Sequence, residues 1–168
     1  MSRANTNDKR VLAIDPSTRG FGFAVLEGPS RLIDWGVKET KTEKKKRSLT
    51  FIEALIEQYQ PKVVIVEDYA AKGSRRCSRV RELIDDISKL AVKRKIKVRR
   101  FSRLKVMQVF SESGASTKYE IAIAMAKRFP ELAPRLPRLR KPWMSEDYRM
   151  SIFDSVGLGY VFFHLQTS

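Results

Sequence analysis

The sequence predicts an α/β fold, because short apolar strands at the start of the chain are followed by alternating strands and amphipathic helices. Residues 63–66 (VVIV) form a continuous β-branched run, typical of a strand covered on both faces. Val80 then opens a stripe of apolar residues at helical spacing. A length of 168 residues suits one core, so we expect a single domain over residues 1–168 with a flexible segment at 1–9.

The first three strands are predicted to form an antiparallel unit. Residues 10–15 (RVLAID) and 21–27 (FGFAVLE) flank a turn of proline, serine and glycine, which is typical of a β-hairpin. Residues 32–38 (LIDWGVK) can add a third antiparallel strand. A lysine-rich turn and an amphipathic helix over residues 48–59 are expected to follow.

The second half of the chain is predicted to be largely helical after one more strand. Residues 96–101 form that strand, which a helical crossover places parallel to the strand at 63–66. Helices are expected over residues 104–110, over 117–129, and from Ser145 onward. Four prolines predict a loop over residues 130–143, and residues 155–165 are apolar on all sides, which indicates a buried helix or strand.

The charge of the chain indicates a polyanionic partner. Lysine and arginine number 34 against 19 acidic residues, a formal net charge of +15. The excess is concentrated in three clusters, namely residues 93–105, the arginines at 75, 76, 79 and 81, and the basic residues at 135, 138, 140 and 141. One such cluster is usually a solvated surface, but three together favour phosphate binding.

Cysteine usage and the N-terminus predict an intracellular protein. Cys77 is the only cysteine, which excludes an internal disulfide and a cysteine-based zinc site and suits a reducing compartment. No apolar stretch approaches the ~20 residues of a membrane span, and the polar start is unlike a signal peptide. We therefore expect a soluble, cytoplasmic protein.

Three acidic residues interrupt apolar segments and are candidate metal ligands. Asp15 ends the first strand, Glu67 ends the VVIV strand, and Asp154 lies in the apolar C-terminal segment. Buried carboxylates need a cation or a donor, and their convergence would form a site for Mg²⁺ or Mn²⁺. Two alternatives stay open, since Asp15 precedes a proline and can be a turn residue, and Glu67 can pair with an arginine.

These acids lie in segments that resemble the motifs of the RuvC-like nucleases. VLAIDPSTRGFGFAVLE is similar to the opening motif of that family, VVIVEDYA to its second catalytic strand, and DSVGLGYVFFH to its C-terminal helix. The resemblance implies an RNase H-like fold with a five-stranded mixed sheet, three antiparallel strands and then parallel ones, flanked by helices. It also implies a homodimer that nicks four-way (Holliday) DNA junctions with Mg²⁺, and branch-migration machinery as a further partner.

The resemblance also implies roles for individual residues. Asp15, Glu67 and Asp154 correspond to catalytic metal ligands, and Lys105 and Lys118 to basic residues that hold the scissile phosphate. The candidate nucleic-acid contacts are Arg75, Arg76, Arg79, Lys105, Lys118 and Tyr69. Tyr69 lies near the family's base-stacking aromatic, one residue out of register, so core packing stays an alternative for it.

One position departs from the family pattern. The fourth carboxylate of the family is expected three residues before the last aspartate, where this chain has Ser151. In a helical segment Asp147 would lie two turns before Asp154 on the same face, so we expect it to act as the fourth ligand, directly or through water. Glu146 is the less well aligned candidate.

Three other functional classes share some of these sequence features. Actin-like ATPases and sugar kinases share the Asp-containing turn, but they need two such lobes and this chain supplies one. A nuclease that processes structured RNA would share the fold, the metal and the basic surface. A nucleic-acid-binding module with a decayed site is the third, since Ser151 replaces an expected acid.

Overall fold

The computed structural model describes residues 9–71 and 76–167. Arg75, and the expected flexible segment apart from Lys9, lie outside the described residues. In chain order the elements are β1 (Arg10–Pro16), β2 (Gly20–Glu27), β3 (Leu32–Glu39), α1 (Lys44–Tyr59), β4 (Val63–Glu67), α2 (Ser78–Lys93), β5 (Lys97–Phe101), α3 (Arg103–Ser111), α4 (Lys118–Arg128), a 3-10 helix (Pro130–Arg135) and α5 (Met150–Thr167).

The five strands form one mixed sheet in the order β3-β2-β1-β4-β5. β1 pairs antiparallel with β2, and β2 with β3, whereas β4 runs parallel to both β1 and β5. The prediction of a five-stranded mixed sheet is therefore confirmed. The central strands β1 and β4 are buried on both faces, as their continuous apolar sequences indicated.

Helices cover both faces of the sheet and divide the core in two. Alternate residues of β1 point to opposite faces, so Leu12 and Ile14 pack with α1 and α2, whereas Val11 and Ala13 pack with α3, α4 and α5. α5 crosses the sheet over β1 and β2 and is buried for most of its length. This burial explains why its sequence is apolar all round, and it settles that segment as a helix.

α5 can lie close to the sheet because small residues line its crossing with β2. A Cβ atom at Gly22 would overlap with the backbone of Ser151, and one at Gly159 would overlap with the side chain of Leu26. Ser151 is itself buried at this contact. The two glycines therefore lower the intrinsic stability of their strand and helix, but they allow the two elements to pack closely.

Most element boundaries agree with the sequence-based expectation to within one residue, and three parts of the chain depart from it further. α1 begins at Lys44, inside the expected lysine-rich turn, where Lys45 forms an ion pair of 2.8 Å with Asp86 of α2. Residues 130–135 form a 3-10 helix within the expected proline loop. The expectation of helix from Ser145 is wrong, because the Asp147 carboxylate accepts a 2.9 Å hydrogen bond from the Arg149 amide and holds a turn ahead of α5.

The fold brings the carboxyl ends of β1 and β4 to the same edge of the sheet. Ala13 of β1 is opposite Ile65 of β4 in the parallel register, so Asp15 and Glu67, two residues further along each strand, point to the same face. That face is the one covered by α5. Within residues 9–71 and 76–167, no helix is long and apolar enough to cross a membrane.

Candidate active site

The three predicted acidic residues converge at this edge of the sheet. Asp15 is buried at the end of β1, Glu67 is half-buried at the end of β4, and Asp154 projects from the second turn of α5. All three line one cavity between the sheet and α5. Arg76, Arg103 and Lys118 line it as well. The cavity therefore has an acidic floor with three basic residues around it.

Arg76 joins two of the carboxylates. Its Nη2 donates to Asp15 Oδ1 at 2.6 Å and its Nε donates to Glu67 Oε2 at 3.0 Å. Nη1 donates to the Pro16 carbonyl at 3.2 Å, so the guanidinium is held by both strand ends. The charge of Asp15, followed by that of Glu67, raises the pKa of Arg76 although burial opposes the shift. Arg76 is therefore an internal counter-ion for this acidic pair.

Lys118 is the counter-ion of Asp154, as Arg76 is of Asp15 and Glu67. It is the first residue of α4, and its Nζ lies 3.0 Å from Asp154 Oδ2 and 2.6 Å from Glu146 Oε1. Burial lowers the pKa of Lys118, but the charge of Asp154 and the hydrogen bond to Glu146 outweigh it and raise the pKa overall. The ammonium group therefore stays charged between two carboxylates.

Burial makes the ionised forms of Asp15 and Asp154 costly in spite of these cations. Burial raises the pKa of Asp15, although the charges of Arg76 and Lys118 oppose the shift. Burial and the negative charge of Asp15 raise the pKa of Asp154 to about 7, again against the effect of Lys118. Raised pKa values in a cavity are a physical sign of a functional site. Further positive charge here would stabilise both ionised carboxylates.

The donor set fits a hard divalent cation in its chemistry. Three carboxylates on two strand ends and one helix are the oxygen ligands that Mg²⁺ and Mn²⁺ prefer. In the described conformation the guanidinium of Arg76 and the ammonium of Lys118 lie against these oxygens. Accordingly, no three acidic, histidine or cysteine side chains among the described residues already surround a single point.

The structure brings Glu146, and not Asp147, to the cavity. Because α5 begins only at Met150, the helical spacing that pointed to Asp147 does not exist. The Asp147 carboxylate instead accepts two hydrogen bonds from the Arg149 guanidinium, of 2.8 and 3.0 Å, and lies outside the cavity. Glu146 lines the same cavity as Ser151, the residue at the position of the missing acid. The geometric basis for Asp147 as fourth ligand is therefore lost.

The basic residue that α3 contributes is Arg103, and not Lys105. The Ser102 hydroxyl accepts from the Lys105 amide and caps α3, so the helix starts at Arg103 with its side chain at the cavity. Lys105, two residues on, is rotated about 200° around the helix axis and lines neither part of the cavity. A signal for Arg103 existed in the sequence, because it follows the strand that lies beside the Glu67 strand.

The remaining candidate contacts for nucleic acid have different surroundings. The Tyr69 hydroxyl donates to the Asp85 carboxylate at 2.7 Å, which raises the pKa of Tyr69, and Arg81 and Arg100 lie over its ring. Tyr69 is thus fixed by its neighbours, which favours a packing role. Arg79 is exposed beside the lysines at the start of α1, whereas Arg76 is engaged with Asp15 and Glu67.

Comparisons with known proteins agree with this architecture. The family model described as crossover junction endodeoxyribonuclease RuvC matches residues 11–136, whereas a sequence comparison with curated proteins found no match. Thermus thermophilus RuvC has a TM-score of 0.66 and 19% identity, over 94% of this chain and 96% of its own. The T. thermophilus RuvC structure in complex with a Holliday junction substrate has a TM-score of 0.68 and 17% identity, over 95% and 96%.

A third solved structure with a similar fold comes from a eukaryote. The yeast mitochondrial Holliday junction resolvase Ydc2 has a TM-score of 0.64 and 15% identity, over 95% of this chain and 81% of its own. Identities this low show a shared fold, whereas the family model covers three quarters of the chain, including Asp15 and Glu67. The resemblance noted from the motifs is therefore confirmed: the chain belongs to the RuvC family of crossover junction endodeoxyribonucleases.

Proposed function

We propose that this protein nicks four-way DNA junctions by divalent-metal-dependent hydrolysis, with Asp15, Glu67 and Asp154 as the metal ligands. The observation that carries the proposal is the convergence of these three carboxylates in one cavity of a protein with a net charge of +15. Acidic side chains that line one cavity of so basic a protein oppose phosphate binding unless a cation compensates their charge. Family membership supplies the class of substrate, a crossover junction.

We propose Mg²⁺ as the working metal, with Mn²⁺ able to replace it. When bound, such ions activate a water molecule and stabilise the leaving oxygen of an in-line displacement. Asp15 and Glu67 would hold one part of the site from the strand ends, and Asp154 the other from α5. Glu146 stands where it can take over from the missing acid at Ser151, directly or through water.

The basic residues of the cavity would position the scissile phosphate. Lys118 and Arg103 lie at its rim, where their charges can offset those of the phosphate oxygens. Arg76 would exchange its bonds to Asp15 and Glu67 for a contact with the DNA backbone. Exposed Arg79 would bind phosphates further out, and Lys105, outside the cavity, a flanking phosphate.

Symmetrical cleavage of a junction needs two sites, so we propose a homodimer of single-domain subunits over residues 1–168. Light scattering of the protein alone and with junction DNA tests this stoichiometry, and a monomer in both would exclude it. An intracellular compartment containing DNA, with branch-migration machinery nearby, is the expected setting.

A nicking assay on a panel of substrates tests the proposal. The panel contains four-way junction DNA, the matching linear duplex, a flap and a structured RNA hairpin, each with Mg²⁺, with Mn²⁺ and with chelator. We expect paired nicks in the junction, in either metal, and slow or absent cleavage of the duplex. Cleavage of the RNA hairpin alone would indicate that the substrate is structured RNA and not a DNA junction. Junction binding with no cleavage in either metal would identify a binding module.

A further inference from the structure

Residues 137–149, which lie between the 3-10 helix and α5, expose large apolar side chains beside basic ones. We call this segment the basic strap. Trp143 is 77% exposed, the largest exposed fraction among the large apolar residues that the structure describes. Leu139, Met144 and Tyr148 of the strap are exposed as well. Exposed apolar side chains that are clustered in one segment indicate an interaction surface.

The basic strap has a defined shape. The Tyr119 hydroxyl of α4 donates to the Pro137 carbonyl at 3.0 Å and anchors its start. The Met144 amide donates to the Lys141 carbonyl at 2.9 Å, and the Arg140 guanidinium donates to the Met144 carbonyl at 2.8 Å. These bonds form a turn that leaves the indole of Trp143 in solvent, with Lys141 Nζ 5.4 Å from the ring centroid.

The charge of the basic strap suits a polyanion. Its two acids are already paired, Glu146 with Lys118 and Asp147 with Arg149. They therefore do not offset the three other cations of the strap that precede Trp143 in the sequence, namely Arg138, Arg140 and Lys141, of which Lys141 lies over the Trp143 ring. Exposed aromatic rings set among arginine and lysine are the usual means of binding single-stranded nucleic acid, because the bases stack and the phosphates pair.

The basic strap is also continuous with the carboxylate cavity. Its inner surface is lined by Arg103, Lys118 and Glu146, and the same three residues line the cavity that contains Asp15 and Asp154. A DNA strand whose phosphate lay among the carboxylates would therefore meet the strap within the next few nucleotides. At a junction such nucleotides lie at the branch point, where a base can leave the duplex stack.

We propose that the basic strap is a second DNA contact, in which Trp143 stacks on a base unstacked at the branch point and Arg138 and Arg140 bind the neighbouring phosphates. The inference rests on the proposed function, because it assumes that branched DNA occupies the cavity. It assigns to Trp143 a role in choosing branched DNA over duplex, since a fully stacked duplex offers no free base face.

Binding measurements with chelator, which excludes cleavage, test the proposal. We expect Trp143→Leu to weaken junction binding roughly 5- to 100-fold, as loss of one stacked base does, and to change duplex binding less than twofold. Trp143→Phe should retain much of the affinity. The matched control is Phe51→Leu, which removes an aromatic ring 42% exposed on the opposite helical layer, and it should leave junction affinity unchanged.

Fluorescence gives a second readout that does not depend on affinity. The chain has two tryptophans, and Trp35 packs against the core, so Trp35→Phe leaves Trp143 as the single reporter. Junction DNA should quench its emission, and matched duplex should not. Equal affinity of Trp143→Leu and wild type, with unquenched emission, would overturn the proposal even if the wild type cleaves junctions. A wild type that neither binds nor cleaves branched DNA would instead refute the proposed function.

Discussion

The Nη2 atom of Arg76 lies 2.6 Å from Oδ1 of Asp15, inside the cavity where a metal ligand is expected. The same guanidinium reaches Glu67, so one protein cation spans both strand-end carboxylates. Such a pair stabilises the negative charges but competes with any other cation for the same oxygens. Arg76 therefore affects how tightly this protein binds a metal as well as how it binds DNA.

This competition predicts that Arg76→Ala binds metal more tightly in the absence of DNA. Removing the guanidinium frees oxygens of Asp15 and Glu67 and removes a repelling charge, so Mn²⁺ affinity should rise about tenfold, or about 1.4 kcal/mol. Calorimetric titration of the DNA-free protein measures this. Arg79→Ala is the control, since Arg79 is exposed and outside the cavity. Equal or weaker Mn²⁺ binding by Arg76→Ala would contradict the competition.

Two neighbouring acids should differ in their effect on cleavage. Glu146 lines the cavity, so Glu146→Gln should lower the nicking rate at least tenfold at subsaturating Mg²⁺. Asp147 pairs with Arg149 outside the cavity, so Asp147→Asn should reduce thermal stability and leave the rate within about threefold. Single-turnover nicking as a function of Mg²⁺ concentration separates the two. The reverse order of effects would restore Asp147 as the fourth ligand.

Gly22 of β2, which packs against α5, and Gly157 of α5 itself should respond oppositely to alanine. At Gly22 the added Cβ would overlap with the backbone of Ser151, so Gly22→Ala should cost about 3 kcal/mol or more of unfolding free energy. At Gly157 in α5 the added Cβ would meet Phe110 at 3.6 Å, an ordinary contact, so Gly157→Ala should add up to about 1 kcal/mol. Chemical denaturation measures both. An unchanged free energy of unfolding in Gly22→Ala would mean that the packing of α5 does not depend on this close crossing.

The pKa of Asp154 predicts a pH dependence of stability in metal-free buffer. Its folded pKa of about 7 lies above the ordinary aspartate value of 3.8, so the stability that its protonated form contributes is fully present below about pH 4 and is lost as pH rises through 7. Asp154→Asn lacks this titration, so its stability relative to wild type should increase between pH 4 and 8, by on the order of 1–4 kcal/mol. If the difference in unfolding free energy between Asp154→Asn and wild type were the same at every pH in this range, ionisation of Asp154 would not destabilise the fold.

Much of the fold could be predicted from the sequence, because local patterns determine it. The β-branched run at residues 63–66 and the apolar stripe after Val80 each allow one reading, and both were confirmed. The start of α5 could not be predicted, because it depends on a turn held by Asp147 and Arg149. Side-chain capping of this kind leaves little trace in apolar periodicity.

The positions of the site residues could be predicted where the order of the strands determines which residues lie close together. Asp15 and Glu67 end neighbouring strands, so their proximity follows from the parallel pairing of β1 and β4. The sequence pointed to Lys105, whereas Arg103 lines the cavity. Which of the two does so depends on where α3 begins, and the Ser102 cap fixes that start. The Arg76 contact joins residues 61 positions apart through a loop, so no spacing rule could reveal it.

Crystals soaked in Mn²⁺ and measured by anomalous scattering test the central claim most directly. We predict at least one anomalous peak within coordination distance of the carboxylates of Asp15, Glu67 and Asp154, with the Arg76 guanidinium withdrawn from Asp15. The variants Asp15→Asn, Glu67→Gln and Asp154→Asn should each lose nicking and keep junction affinity. Absence of a peak at saturating Mn²⁺, with Arg76 still bonded to both carboxylates while the protein nicks junctions, would contradict the account.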